Sequence, residues 1–154
     1  MITGTGMKNT ILDFKKKPAL FVCSSKNTIT SLVESSKSFS KSGNLVLLFD
    51  YNERAASRAL PAFVNASIRF ADGVARSGSM QVEMLLMLCG TMNIGKALRE
   101  CGAKSSERFA VFASDAKLFA KFRAANGISK TKRLGLTLNP KEAGNVAITE
   151  LLND

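Results

Sequence analysis

The chain predicts one α/β domain of the α+β kind: a small, mainly antiparallel sheet flanked by helices, with a buried helical hairpin at its centre. Three observations predict it. Short apolar runs, Ala19 to Cys23, Asn44 to Tyr51 and Arg108 to Ser114, alternate with longer segments of helical period. Met80 to Cys89 is apolar almost all round, broken only by Gln81 and Glu83, and is followed by Gly90 and Asn93, a stop and a start. Finally, no repeat, linker or low-complexity tract divides the 154 residues, a length that suits one domain with a proper core.

In chain order, Met1 to Asn9 offers little pattern. Lys15-Lys16-Lys17-Pro18 precedes the apolar run Ala19 to Cys23, the first strand. Asn27 to Lys41 is rich in Ser and Lys, carries Ile29, Leu32 and Val33 at helical spacing, and meets Gly43 as a stop, so it reads as an exposed helix. Asn44 to Tyr51 is a second strand, short and apolar enough to be buried on both faces.

Asn52 to Asp72 is the long helix. Ala59, Phe63, Ala66 and Phe70 form its packing face. Arg54, Arg58, Asn65 and Arg69 run along another side, with Arg76 just beyond the end. Such a stripe of forked guanidinium groups suits a phosphate backbone. Pro61 complicates it, since proline inside a helix kinks the rod and would turn Arg54 and Arg58 away from Arg69.

The central hairpin follows. Met80 to Cys89 is rich in Met and Leu and poor in β-branched residues, which favours helix. Ser77 or Ser79 caps it, Glu83 lies near its positive end, and Gly90 stops it. Asn93 caps a second helix, whose Ile94, Ala97, Leu98 and Cys101 make one apolar face before Gly102 ends it.

Arg108 to Ser114 is a third strand. Ser114-Asp115 caps a helix through Phe122, with Leu118, Phe119 and Phe122 inward, Lys117, Lys121 and Arg123 outward, and Gly127 as its end. Lys130-Thr131-Lys132-Arg133 is a basic loop or strand start before Leu134, Leu136 and Leu138 at period two. Asn139-Pro140 opens a last helix with Val146, Leu151 and Leu152 apolar.

Composition narrows the chemistry. The absence of histidine removes histidine-based triads, histidine general bases and most zinc sites. Cys23, Cys89 and Cys101 lie far apart in sequence, each in an apolar pattern, as buried free thiols do. No D-x-D spacing or close acid pair suggests a metal or glycosidase site, so neither catalysis nor a cofactor is expected.

The longest apolar run, Met84 to Cys89, is far too short to span a membrane. The first residues lack a basic segment followed by an apolar one, so no secretory signal and a cytoplasmic location are expected. The net charge of +10 calls for a polyanion or an acidic protein face as partner.

Gly90 to Ala97 matches the phosphate-loop pattern G-x-x-x-x-G-K until its last position, where Ala97 stands in place of the hydroxyl that would ligate Mg²⁺. The segment before Gly90 also prefers helix to strand.

The hairpin carries a family resemblance. Ser79, Glu83, Leu85, Gly90, Ile94, Ala97, Leu98, Gly102, Ala103 and Lys104, preceded by Ala56-Ser57-Arg58-Ala59-Leu60, Phe63, Asn65, Ala66 and Phe70, resemble the small kinase-associated subunit of the KEOPS complex, the family of PRPK-binding protein. The resemblance runs from about Leu45 to Phe112. It departs at Ser77-Gly78-Ser79, where archaeal members often carry Ala-Asn-Ser, so no role of that asparagine transfers.

The resemblance implies a subunit without catalysis in a complex that attaches a threonylcarbamoyl group to an adenosine beside the tRNA anticodon. It would dock on the kinase-like ATPase subunit and help capture tRNA by its single-stranded 3′ CCA end. On this chain the tail surface is expected at Arg54, Arg58, Arg69, Arg76 and Lys96, with Ser77, Gly78 and Ser79 offering backbone N–H groups at a helix start. Aromatic residues are scarce, which favours arginine for stacking on bases. The kinase-facing surface is expected at Val146, Ile148 and Leu151. Glu83 reads as structural.

The competing reading is a DNA-binding helix-turn-helix over Met80 to Glu100, whose second helix would present only Asn93, Lys96, Arg99 and Glu100 to bases.

Overall fold

The computed structural model describes residues 17–75 and 78–136. The order of elements begins with β1, Ala19–Ser25, and continues with α1, Ile29–Phe39, β2, Val46–Phe49, and α2, Glu53–Ala71. The hairpin is α3, Met80–Cys89, and α4, Ile94–Cys101, followed by β3, Phe109–Ala113, α5, Ala116–Asn126, and β4, Ile128–Leu134. The strands form one sheet in the order β2-β3-β1-β4 with every neighbouring pair antiparallel. The fold is therefore α+β, as the sequence predicts.

All five helices among the described residues start on a small polar side chain that accepts a hydrogen bond from a backbone N–H in the first turn. These are Thr28, Asn52, Ser79, Asn93 and Asp115 for α1 to α5. Each satisfies one of the N–H groups that a helix start leaves without a partner. Of the two serines able to cap α3, Ser79 does so. Pro61 is buried and α2 passes through it as one helix from Glu53 to Ala71, so the rod is not broken there.

Alternation along the strands sends side chains to two cores. Leu20, Leu47, Phe49, Ala110 and Phe112 face α2 and α3, meeting Ala59, Phe63, Ala66, Met84 and Leu86. Val46, Leu48, Phe109 and Val111 face the other way, with Cys23, Leu32, Phe119 and Phe122. Phe63 against Phe112, ring centroids 4.9 Å apart, anchors the first core; Phe39 edge-on to Phe122 at 5.4 Å anchors α1 to α5 in the second. β2, although outermost, is buried at all four positions.

Three expectations change. β4 begins at Ile128, so Lys130-Thr131-Lys132-Arg133 lies inside the strand and pairs with β1. The helix expected to Phe122 runs on to Asn126 before Gly127 closes it in the left-handed conformation. In α4 only Ala97 of the apolar set is fully buried; Ile94 and Leu98 are exposed by 38% and 52%. An amphipathic period identifies an apolar stripe but not what covers it, and α4 packs edge-on through Ala97. The last helix from Asn139, with Val146, Ile148, Leu151 and Leu152, lies outside the described residues.

Candidate nucleic-acid interface

The two helices that carry the expected surface, α2 and α3, run side by side in opposite senses. Arg69, near the end of α2, meets Glu83 in the first turn of α3, while Arg58, three turns earlier, meets Gly90 at the end of α3. At one and a half ångströms per residue, the two arginines stand about 16 Å apart along α2. The arginine stripe is thus divided between the two ends of α3.

At the start of α3, Arg69 Nε donates to Glu83 Oε2 at 2.7 Å, and an Nη donates to the carbonyl of Val74 at 2.9 Å. The Glu83 side chain is fully buried and that of Arg69 is 30% exposed. A buried carboxylate needs a partner of this kind, and the positive end of α3 adds to its stabilisation. Arg69 therefore fixes the angle between α2 and α3, with part of its guanidinium left facing water. Ser79 is half-buried and its hydroxyl accepts the Val82 N–H at 3.3 Å; Gly78 is exposed beside it. Arg76 and Ser77 lie outside the described residues.

At the end of α3, Gly90 takes φ +74°, a conformation that costs any residue with a Cβ. The Gly90 and Thr91 N–H groups both donate to the carbonyl of Leu86. A methyl group at Gly90 would come within 3.8 Å of Arg58 Nη1, so the guanidinium lies against this turn. The negative end of the α3 dipole attracts it there. Arg54 is exposed one turn before Arg58, and Lys96 is exposed in the first turn of α4, its N–H donating to the Asn93 side chain at 2.9 Å. Of these three, Arg54 and Lys96 are exposed and Arg58 is half-buried.

The stretch Gly90 to Lys96 is a helix-to-helix corner and follows a helix, α3, where a phosphate loop would follow a strand. Among the described residues no group of three or more His, Cys, Asp or Glu side chains stands ready for a metal ion. No helix among them is long and apolar enough to cross a membrane.

Sequence reasoning missed two features of this region. Cys89 and Cys101, distant in sequence, meet across the hairpin: burial, and then a hydrogen bond with Cys89, push the Cys101 thiol up to about 12. Both are half-buried, where a fully buried state was expected. Gln81, one of two polar breaks in an apolar run, is spent on structure, its amide donating to the Val46 carbonyl at 2.6 Å and to the Ser36 hydroxyl at 3.0 Å.

No protein-family model matches this chain, and no curated protein matches it.

Proposed function

We propose that this protein is the non-catalytic small subunit of a KEOPS-type complex for tRNA threonylcarbamoyladenosine modification, docking on the kinase-like ATPase and holding the 3′ CCA end of tRNA. The observation that carries the reading is the hairpin packed on an arginine-bearing helix. The residues of the resemblance are those on which that arrangement depends: Ser79 caps α3, Glu83 is buried against Arg69, Leu85 and Ala97 are core, and Gly90 makes the left-handed turn. Gly102 ends α4 with its backbone close on Leu98.

Around the turn, Arg54, Arg58 and Lys96 supply positive charge and guanidinium planes for the phosphates and bases of a single strand. Arg69 contributes mainly by holding the two helices in register. For the kinase-like subunit, Val146, Ile148 and Leu151 remain the docking residues of this reading, outside the described part of the chain.

The test is binding of one tRNA, with its CCA end intact and with that end removed, to the wild-type chain and to Arg54→Gln/Arg58→Gln. The wild type is expected to prefer the intact end and the variant to lose that preference without losing stability. Equal binding of both tRNAs by the wild type would overturn the tail assignment. Separately, Ile148→Glu is expected to abolish co-purification with the kinase-like subunit; retained co-purification would remove the C-terminal segment from the interface.

A further inference from the structure

Two of the three thiols of the chain are brought together by the fold. Cys89 is the last residue of α3 and Cys101 the last residue of α4, each directly before the glycine that closes its helix. Both are half-buried and pack against the first core, where their side chains share a hydrogen bond. Cys23 is only 2% exposed and belongs to the second core, on the opposite side of the sheet.

The elements that bear the pair hold it in place. α3 and α4 are joined through the left-handed turn at Gly90 and the Asn93 cap. The end of α4 is fixed to the sheet, since the Asp50 N–H donates to the Cys101 carbonyl at 2.9 Å and Gly102 pairs with Phe49. Ala97, fully buried one turn before Cys101, keeps that side of α4 turned inward. Two sulfurs held in contact by rigid elements need little backbone movement to be bonded, which is the geometric condition for a disulfide. Half-buried thiols are also within reach of a small oxidant, whereas Cys23 is shielded.

We infer that Cys89 and Cys101 are a dithiol modification site, which a peroxide oxidises to a reversible intrachain disulfide across the hairpin. The order of events follows from the protons. Burial, and then the hydrogen bond with Cys89, push the Cys101 thiol up to about 12, so Cys101 stays protonated and Cys89 meets the oxidant first. The Cys89 sulfur, as thiolate, takes one oxygen of hydrogen peroxide. The O–O bond breaks, and the other oxygen leaves as hydroxide and collects the proton that Cys89 gave up, forming water. The Cys101 sulfur then attacks the sulfur of the sulfenic acid so made. The S–S bond forms as the S–O bond breaks, and the departing hydroxide takes the Cys101 proton as a second water. Two electrons pass from the sulfurs to the peroxide.

The bond would fasten the ends of α3 and α4 to each other and close a loop over the corner that carries Lys96. Closing it takes freedom from the unfolded chain, so the oxidised form is the more stable one. The site is independent of the tRNA reading, since it needs only the two sulfurs and an oxidant. The experiment treats the folded full-length chain with hydrogen peroxide, blocks the remaining thiols with iodoacetamide, and digests with trypsin, which cuts between the two cysteines at Lys96 and Arg99. Mass spectrometry is expected to find residues 77–96 joined to residues 100–104, about 2 Da lighter than the two peptides that a reductant releases. Cys23 should remain a free thiol. Adding reductant to the oxidised chain should lower its thermal unfolding midpoint by at least about 3 °C.

Free thiols at both positions, under peroxide that converts glutathione fully to its disulfide, would overturn the proposal. Linkage of either cysteine to Cys23, or to a second chain, in equal yield would do the same. Two variants test the order of the steps. In Cys101→Ser, Cys89 should stop at the sulfenic acid and be labelled by dimedone, whereas Cys89→Ser should leave Cys101 unlabelled. Labelling at Cys101 alone would overturn the assigned roles. The linkage itself is read on the wild-type chain, so loss of folding in either variant leaves that test intact.

Discussion

Arg58 and Arg69 lie eleven residues apart on one side of α2, and their surroundings give them different work. Arg69 lies against a fully buried carboxylate and closes the α2–α3 angle, whereas Arg58 rests half-buried against a helix end and makes no ion pair among the described residues. What separates them is the partner that tertiary packing brings up, because along α2 they occupy equivalent positions. A stripe of like residues on a helix therefore identifies a side of the molecule, and the neighbouring helix decides which members of the stripe hold the fold.

The sharpest way to break the comparison is to remove each charge in turn. Arg69→Ala or Glu83→Ala is expected to cost about 2–4 kcal/mol in urea unfolding, since either leaves a partly or wholly buried charge without its ion-pair partner. Arg58→Ala should cost less than about 1 kcal/mol. A double-mutant cycle should show strong coupling for Arg69 with Glu83; additive effects would mean that the pair does not hold the helices.

A smaller effect separates the two glycines that end the hairpin helices. At Gly102 an added Cβ would lie 2.5 Å from the Leu98 carbonyl oxygen, a backbone clash, while at Gly90 the only close group is the end of the Arg58 side chain. Gly102→Ala should therefore lower stability by about 1–3 kcal/mol, which thermal unfolding would measure. For Gly90→Ala the expected cost is about 1 kcal/mol, set by its left-handed backbone. The reverse order would point to relaxation of α4 around the new methyl.

The smallest effect concerns alkaline pH. Burial, opposed by the charge of Arg123, raises the Cys23 thiol from its ordinary 9.0 to about 12. The folded chain then holds this proton where the unfolded chain has released it. The stabilisation is complete below pH 9 and is lost as pH rises towards 12. Cys23→Ala should flatten the decline in stability between pH 9 and 11, and an unaltered profile would exclude this thiol as a cause.

The elements set by local chemistry were legible in the sequence. Asn93 and Asp115 cap helices, and Gly90 and Gly127 stop them, because each acts on its own turn. The β4 strand was harder to see because charged residues occupy both of its faces at Lys130, Lys132 and Arg133; an outermost strand needs little apolar pattern to pair. The division of the arginine stripe was not legible either, since Glu83 reaches Arg69 from another helix across fourteen positions. Nor does an apolar period reveal that α4 turns Ile94 and Leu98 to solvent.

The end of α4 has a consequence for how this chain tolerates change in length. Gly102 pairs with Phe49 beside the sheet, and the Asp50 N–H donates to the Cys101 carbonyl at 2.9 Å, so the far end of the helix is pinned to the strand layer. Its near end is pinned by the Asn93 cap and the Gly90 turn. A single inserted residue between them would rotate one end against the other by about 100° and carry Ala97 out of the core. Insertions and deletions in related chains should therefore avoid the interval from Gly90 to Gly102, even though most of its side chains face water.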